Sequence, residues 1–193
     1  MRITTELKTF LEENIHLIED NNFSELYYRW ENKNISHYAL KELSTALRSA
    51  GIDVLPFMDG VLPPYYYAYK KLDSNRLIVP ESVRIVQPYG LSGLYSTITE
   101  LVIPHTCKEL RYNAVSENGS LEKISLEDGV QTISSRCFAD CTNLHDIYVP
   151  SSVTTIGMHG VFADCSKLLT IHCEQGSTME AYCEQNGLHY KSY

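Results

Sequence analysis

Residues 124–170 contain two consecutive copies of one pattern, ISLEDGVQTISSRCFADCTNLHD and then IYVPSSVTTIGMHGVFADCSKLLT. The copies are 23 residues apart at Ile124 and Ile147, and 24 apart at Cys141 and Cys165, because one residue is inserted between those points. Self-similarity at a nearly constant period of this length is typical of solenoids, in which each repeat forms one coil of a stack. We therefore expect the two segments to be adjacent coils.

The pattern extends in both directions, and the chain from residue 77 divides into coils at 77–100, 101–123, 124–146, 147–170 and 171–193. Each coil opens with an apolar residue, any residue and a second apolar residue, which predicts a short strand with its first and third side chains inward. These inward pairs are Leu77/Val79, Leu101/Ile103, Ile124/Leu126, Ile147/Val149 and Ile171/Cys173. Stacked coils would give each inward side chain an equivalent neighbour, so that the rows merge into one core.

Three further inward rows recur within the coils. They comprise the pairs Val83/Val86, Cys107/Leu110, Val130/Ile133 and Val153/Ile156, the row Leu91, Val115, Phe138 and Phe162, and the row Ile98, Leu121, Leu144 and Leu168. Cys141 and Cys165 occupy one repeat position, where we expect small, buried side chains stacked in adjacent coils.

Both ends of the chain have helical patterns. Residues 4–19 place Leu7, Leu11, Ile15 and Ile18 at helical spacing, with Phe10 and Leu17 beside them. Two more helices are predicted, one at 23–30 and one from Ser36 to Ala50 that ends at Gly51, where a left-handed residue is favoured. At the other end, Ser177 and Glu180 form a capping box that predicts a helix to about Asn186, ended by Gly187 and followed by a strand near 188–190.

Residues 52–71 form a proline-containing segment with the aromatic cluster Tyr65, Tyr66, Tyr67 and Tyr69. Two interpretations stay open for this cluster. The rings pack in the seam between the helices and the first coil, or they form a surface that binds a partner protein. Base stacking is a weaker third interpretation, because a net charge of −8 disfavours direct nucleic-acid binding and binding to anionic membranes.

The sequence has neither an apolar run long enough to cross a membrane nor a secretory signal, so we expect a cytoplasmic protein. Its six cysteines then favour packing over disulfide bonding.

The segments GVQTISSRCFADCTNL and SVTTIGMHGVFADCSKL resemble the BspA-type leucine-rich repeat, also called the leucine-rich repeat 5 family. The ending GSTMEAYCEQNGLHY is similar to the C-terminal segment of that family. The resemblance covers roughly 77–190 and implies a right-handed, β-rich solenoid that binds proteins without catalysis. The signal-less form with a helical start, GIDVLPFMD and PPYYY also resembles members encoded by phages and prophages, for which the location would be the host cytoplasm.

We therefore predict an α+β fold in which a small N-terminal helical region caps a short right-handed solenoid of about five coils with a C-terminal capping helix. The predicted division is a helical region at 1–51, a Pro/Tyr-rich connector at 52–76 and the solenoid at 77–193.

Chemical sites receive little support from the sequence. Cys137, Cys141 and His145 are spaced four residues apart, and His172 precedes Cys173, but the repeat pattern assigns Cys141 to the core. A cysteine-dependent enzyme would need Cys173 near His145 or His172 and is the weakest interpretation. We therefore expect no catalytic residues, no metal and no cofactor.

The central residues of the strand triplets point outward and form a row across one sheet: Ile78, Val102, Ser125, Tyr148 and His172. Such a row suits a protein interface. We expect the helical region to cover Ile78, and we take Ser125, Tyr148 and His172 as partner-binding candidates, with Arg84, Arg111 and Arg136 at the rim. Tyr65, Tyr66 and Tyr67 are further candidates.

Two functions follow from this pattern. The first is a non-enzymatic module that presents a rigid solenoid face to a protein partner, for example a virion or surface component. The alternative is a phage-encoded or mobile-element-encoded inhibitor of a host enzyme or defence complex, such as a CRISPR-type complex. The sequence indicates neither the partner nor the oligomeric state.

Overall fold

The computed structural model describes residues 5–20, 22, 25–26, 28–29, 37–53, 58–68 and 70–193. Two N-terminal helices are α1 (Thr5–Glu19) and α2 (His37–Ser49). Both confirm the predicted elements to within two residues, and Gly51 has the predicted positive φ of 76°. Of the predicted helix at 23–30, only 25–26 and 28–29 lie within the described residues, and they are helical. The side chain of Leu7 lies outside the described part, as does Tyr69.

The buried face of α1 differs from the predicted one. Phe10, Asn14 and Leu17 are buried, whereas Ile15 is exposed. Asn14 has non-helical dihedral angles (φ −123°, ψ 16°), and its Nδ2 donates to the carbonyl oxygen of Phe10 at 2.8 Å. Arg29 Nη1 donates to Asn14 Oδ1 at 3.0 Å. The prediction was therefore wrong for Ile15, whereas Leu11 and Ile18 pack against the same buried cluster.

The rest of the chain winds between two parallel sheets. One sheet has five strands and the other has six, and in each sheet the strands lie side by side in chain order. The first comprises β1 (Val61–Leu62), β3 (Ile85–Val86), β5 (Glu109–Leu110), β7 (Thr132–Ile133) and β9 (Thr155–Ile156). The second comprises β2 (Arg76–Ile78), β4 (Glu100–Ile103), β6 (Lys123–Leu126), β8 (Asp146–Val149), β10 (Thr170–Cys173) and β11 (Tyr190–Ser192). The chain is thus a parallel β-solenoid, and the predicted strand register is confirmed at every pair from β2 to β10.

The solenoid has one more turn than the sequence indicated. β1 pairs in parallel with β3, so a coil precedes residue 77 and the stack has about six turns rather than five. Tyr67 is the first member of the row that continues with Leu91, Val115 and Phe138, and all four are buried. The two prolines and three tyrosines of residues 63–67 concealed this coil, because they replace the residues that identify the later copies.

A single core of inward side chains runs through the stack, as predicted. Phe138 and Phe162 stack with ring centroids 5.5 Å apart. The fourth row needs a correction in its last member, since Leu168 is 74% exposed and Leu169 is 7% exposed. The N–H of Leu169 bonds to the carbonyl oxygen of Ser166 at 3.1 Å, which repeats the turn that Leu144 makes with Cys141. An extra residue before Leu169 shifts this turn, and two consecutive leucines hid the shift.

The last helix, α3 (Thr178–Asn186), has the predicted caps. Ser177 Oγ accepts from the N–H of Glu180 at 3.2 Å, and Glu180 Oε2 accepts from the N–H of Gly176 at 2.6 Å. Gly187 ends the helix at φ 64°, and β11 then returns to pair with β10. A C-terminal helix is therefore confirmed. Within the described ranges, no helix is long and apolar enough to cross a membrane.

Candidate protein-binding surface

The outward residues of the six-stranded sheet form the predicted row. The register joins Ile78 to Val102, Val102 to Ser125, Ser125 to Tyr148 and Tyr148 to His172. Their exposure differs from the expectation in two places. Ile78 is 54% exposed, so the described helices do not cover it, and Val102 is 6% exposed although it stands at an outward position. At the C-terminal end of the row, Tyr148 is exposed and His172 is half-buried.

Tyr148 and His172 form the centre of this end. Their rings stack with centroids 4.3 Å apart and planes 6° apart. Nε2 of His172 is hydrogen-bonded to Oδ1 of Asp146 at 2.6 Å, and Nζ of Lys123 lies 5.3 Å from the centroid of the Tyr148 ring. The ring stacking, the hydrogen bond and the contact between Lys123 and the Tyr148 ring hold these four side chains in position relative to one another.

Lys123 and Asp146 are surface residues that were not predicted as binding candidates from the sequence. They belong to a second outward row, two residues before the first in each strand, with the order Arg76, Glu100, Lys123 and Asp146. The charges alternate along this row, and Arg76 Nε lies 3.8 Å from Glu100 Oε2. The signal in the sequence was the alternation of side chains along a strand, which places residues i and i+2 on one face.

A protein-family model for the BspA type leucine-rich repeat region matches residues 63–186 in six copies. The chain belongs to this family. Searches of curated proteins and of solved structures gave no match. The six copies agree with the six turns of the solenoid, and the first copy includes the tyrosines that were predicted to lie in a connector.

Within this leucine-rich repeat fold, the described tyrosines of the cluster, Tyr65, Tyr66 and Tyr67, are mostly internal. Tyr65 and Tyr67 are buried, so neither is available to a partner on the surface. Tyr66 is half-buried; its hydroxyl donates to Asp53 Oδ1 at 2.7 Å, and its carbonyl oxygen accepts from Arg48 at 2.9 Å. Burial, followed by the hydrogen bond to Asp53, raises the pKa of Tyr66. The interpretation of these rings as seam packing therefore describes Tyr65 and Tyr67.

The three arginine candidates lie away from the stacked pair, beside the five-stranded sheet. Arg84 is exposed and donates to the carbonyl oxygen of Glu81 at 2.7 Å. Arg111 is half-buried between Glu109 and Gln87, at 3.2 and 2.9 Å. Arg136 has a positive φ of 56° and lies 3.1 Å from Asp140. The structure does not bring these arginines together with Tyr148 and His172.

The cysteines form part of the packed interior. All six are free thiols, and Cys165 is half-buried while the others are buried. Burial raises the pKa of Cys107 and Cys165 to about 11 and of Cys141 and Cys183 to about 12. Thiols protonated at neutral pH are poor nucleophiles and poor metal ligands.

The candidate cysteine–histidine pairs do not converge. Cys173 and His172 are neighbours in a strand and therefore point to opposite faces of the sheet. Cys137 and Cys141 are buried, whereas His145 is exposed.

Cys141 and Cys165 do stack at one repeat position, and they also donate hydrogen bonds. Sγ of Cys141 lies 3.3 Å from the carbonyl oxygen of Val115, and Sγ of Cys165 lies 3.0 Å from that of Phe138. One coil earlier, Asn118 Nδ2 donates to the carbonyl oxygen of Leu91 at 2.8 Å. A donor at this position therefore satisfies a carbonyl of the preceding coil, whichever residue supplies it.

Proposed function

We propose that this protein is a non-enzymatic binding module that holds a protein partner on the outer face of its six-stranded sheet, around Tyr148 and His172. The stacked pair carries the proposal. Aromatic side chains contribute strongly to binding energy at protein interfaces, and a side chain already fixed in its bound orientation loses little entropy on association. Membership in a family of protein-interaction scaffolds supports the same class of function.

The charges around the pair favour a partner surface of mixed sign. Lys123 and Asp146 flank the stack, and Lys191 on β11 stands in register with His172. Opposite charges on both sides of an aromatic centre can orient a partner, which contributes specificity more than affinity.

We further propose that the N-terminal helices cover the open end of a right-handed stack. Phe10, Leu43 and Leu47 pack in one cluster with Met58 and Tyr65. Across this contact, Ser44 Oγ donates to the carbonyl oxygen of Pro64 at 2.8 Å. A terminal coil without cover exposes apolar side chains and a strand edge, so such a contact would keep the solenoid monomeric at this end.

The proposal is tested by affinity capture with the full-length chain as bait. Wild type is compared with Tyr148→Ala/Lys123→Glu and with Tyr112→Ala, because Tyr112 is an exposed tyrosine beside the five-stranded sheet. We expect a partner that wild type and Tyr112→Ala retain equally and that the double variant loses. Equal recovery on all three baits would contradict the proposed face.

The identity of the captured protein separates the two functions predicted from the sequence. A virion or surface component supports simple presentation of a binding face. A nuclease or a defence protein supports an inhibitor encoded by a phage or other mobile element.

A further inference from the structure

Three side chains from successive coils meet on the surface where strands of the six-stranded sheet end. Glu81 follows β2, His105 follows β4 and Glu127 follows β6. Nδ1 of His105 lies 3.6 Å from Oε2 of Glu81 and 3.5 Å from Oε2 of Glu127. One ligand-type atom from each residue lies within 4.8 Å of the other two, and all three side chains are exposed.

The spacing fits ligands around a metal ion better than it fits direct hydrogen bonds. Two ligands at about 2.0–2.1 Å from a tetrahedral Zn²⁺ stand roughly 3.3–3.4 Å apart, which is close to both measured distances. A charge-assisted N–H···O bond would be about 2.7–2.9 Å long. His172 and Asp146 make such a bond at 2.6 Å in the same molecule, so a histidine–carboxylate pair in this fold does close when the geometry allows it.

The loops that carry His105 and Glu127 are fixed to one another. Oε2 of Glu127 accepts from the backbone N–H of His105 at 3.0 Å. Nζ of Lys108 donates to the carbonyl oxygens of His105 and Gly129, at 2.9 and 3.1 Å. Gly129 has φ 128°, and a Cβ there would clash with the carbonyl oxygen of His105. Tight contact between these two coils thus fixes the spacing of the two loops before any ion binds.

The hydrogen bond from a backbone N–H of one coil to a glutamate of the next occurs a second time, at a position without a histidine. Glu174 Oε1 accepts from the backbone N–H of Ser151 at 3.2 Å, in the position that Glu127 holds relative to His105. Supporting a neighbouring loop therefore needs only the glutamate. The imidazole and the second carboxylate of Glu81 are additional to that structural task, and they are what a metal site requires.

We propose that Glu81, His105 and Glu127 form a surface site for a divalent transition-metal ion, with Zn²⁺ as the best match. One imidazole nitrogen and two carboxylate oxygens are common zinc ligands, and three protein ligands leave a fourth position for water or for a group from a partner. Two carboxylates with a neutral imidazole balance the charge of the ion. The bound ion would also join three successive coils.

Titration calorimetry with Zn²⁺ on the full-length chain tests the proposal. We expect one ion per chain, no detectable binding to His105→Ala and binding at least about tenfold weaker to Glu81→Gln. Co²⁺ added instead should give the visible bands of a tetrahedral ion without the near-ultraviolet band of cobalt–thiolate bonds. That spectrum separates this site from the cysteines.

Two variants serve as matched controls. Glu174→Gln neutralises the equivalent glutamate two coils further along the stack, and His145→Ala removes another exposed histidine; both should bind Zn²⁺ as wild type does. The proposal is wrong if wild type binds no Zn²⁺, if His105→Ala binds it unchanged, if either control loses it, or if Co²⁺ shows thiolate bonding. Circular dichroism of each variant checks that the fold is intact.

Discussion

The imidazole of His172 stacks on the ring of Tyr148 with centroids 4.3 Å apart, and Asp146 fixes the imidazole through a 2.6 Å hydrogen bond to its Nε2. The two rings come from adjacent coils, so the contact depends on the register between β8 and β10. The oriented pair of rings therefore requires two adjacent coils of the solenoid and cannot form on either coil alone.

The stacked rings of Tyr148 and His172 should stabilise the folded protein as well as form part of a binding surface. We expect a double-mutant cycle with Tyr148→Ala and His172→Ala to give a coupling energy of about 0.5–1.5 kcal/mol, since aromatic pairs contribute about that much beyond burial. Chemical denaturation of the two single variants and the double variant measures it. If the changes in the free energy of unfolding of the two single variants sum to the change in the double variant, the rings are adjacent without interacting.

Alanine substitutions at the two neighbouring leucines, Leu168 and Leu169, test the shifted turn before β10. Leu169→Ala should lower the free energy of unfolding by about 2–4 kcal/mol, because it leaves a cavity in the core. Leu168→Ala should change it by less than about 0.5 kcal/mol, because that side chain is exposed. A larger loss for Leu168 than for Leu169 would restore the register predicted from the sequence.

Gly129 is required both for its dihedral angle and for the space beside it. Gly129→Ala should destabilise the fold by about 1–3 kcal/mol through backbone strain, and by more through the clash with His105. Gly176→Ala is the control for the clash, since Gly176 also has a positive φ but no atom lies within 4 Å of the position its Cβ would take. Equal thermal unfolding midpoints for the two variants would argue against a close approach of these coils.

The buried thiols predict a loss of stability at alkaline pH. Burial raises the pKa of Cys141 from 9.0 to about 12, so the folded state keeps its proton where the unfolded state has lost it. The stabilisation is complete below pH 9 and decreases as the pH rises from 9 towards 12. Denaturation between about pH 7 and pH 10.5, within the range where the protein stays folded, measures the slope.

Cys141→Ser gives the matched comparison. At about pH 7 it should be less stable than wild type by about 1 kcal/mol, because a hydroxyl is costlier to bury than a thiol. Above about pH 9 its stability should fall less steeply with pH, because serine does not titrate there. Parallel pH profiles for the two proteins would mean that Cys141 ionises equally in the folded and unfolded states.

The sequence predicted the strands and the caps because their signals are local. An apolar–x–apolar triplet at a regular period can bury one face only as a strand in a stack, and Ser177 with Glu180 specifies a helix start within four residues. The prediction failed where the signal was ambiguous or replaced. Leu168 and Leu169 are chemically identical candidates for one position, and the coil before residue 77 has Tyr67 at the position that Leu91, Val115 and Phe138 occupy in later coils.

For the candidate sites too, some features could be predicted from the sequence and others could not. The outward row through Ser125, Tyr148 and His172 follows from strand alternation, and the register confirmed it. The exposure of each member did not follow from the alternation, since Val102 is buried and Ile78 is exposed although both stand at outward positions. The group Glu81, His105 and Glu127 has no sequence motif, since its members are separated by 24 and 22 residues and occupy two different repeat positions.

The sequence by itself determined that the chain forms stacked coils, because a repeated pattern of apolar residues has no other way to bury itself. Only the tertiary structure decided which side chains meet between coils, as His172 meets Tyr148 and His105 meets Glu127. Those contacts depend on shifts of one residue and on backbone turns with positive φ, and such small displacements decide whether two side chains reach each other.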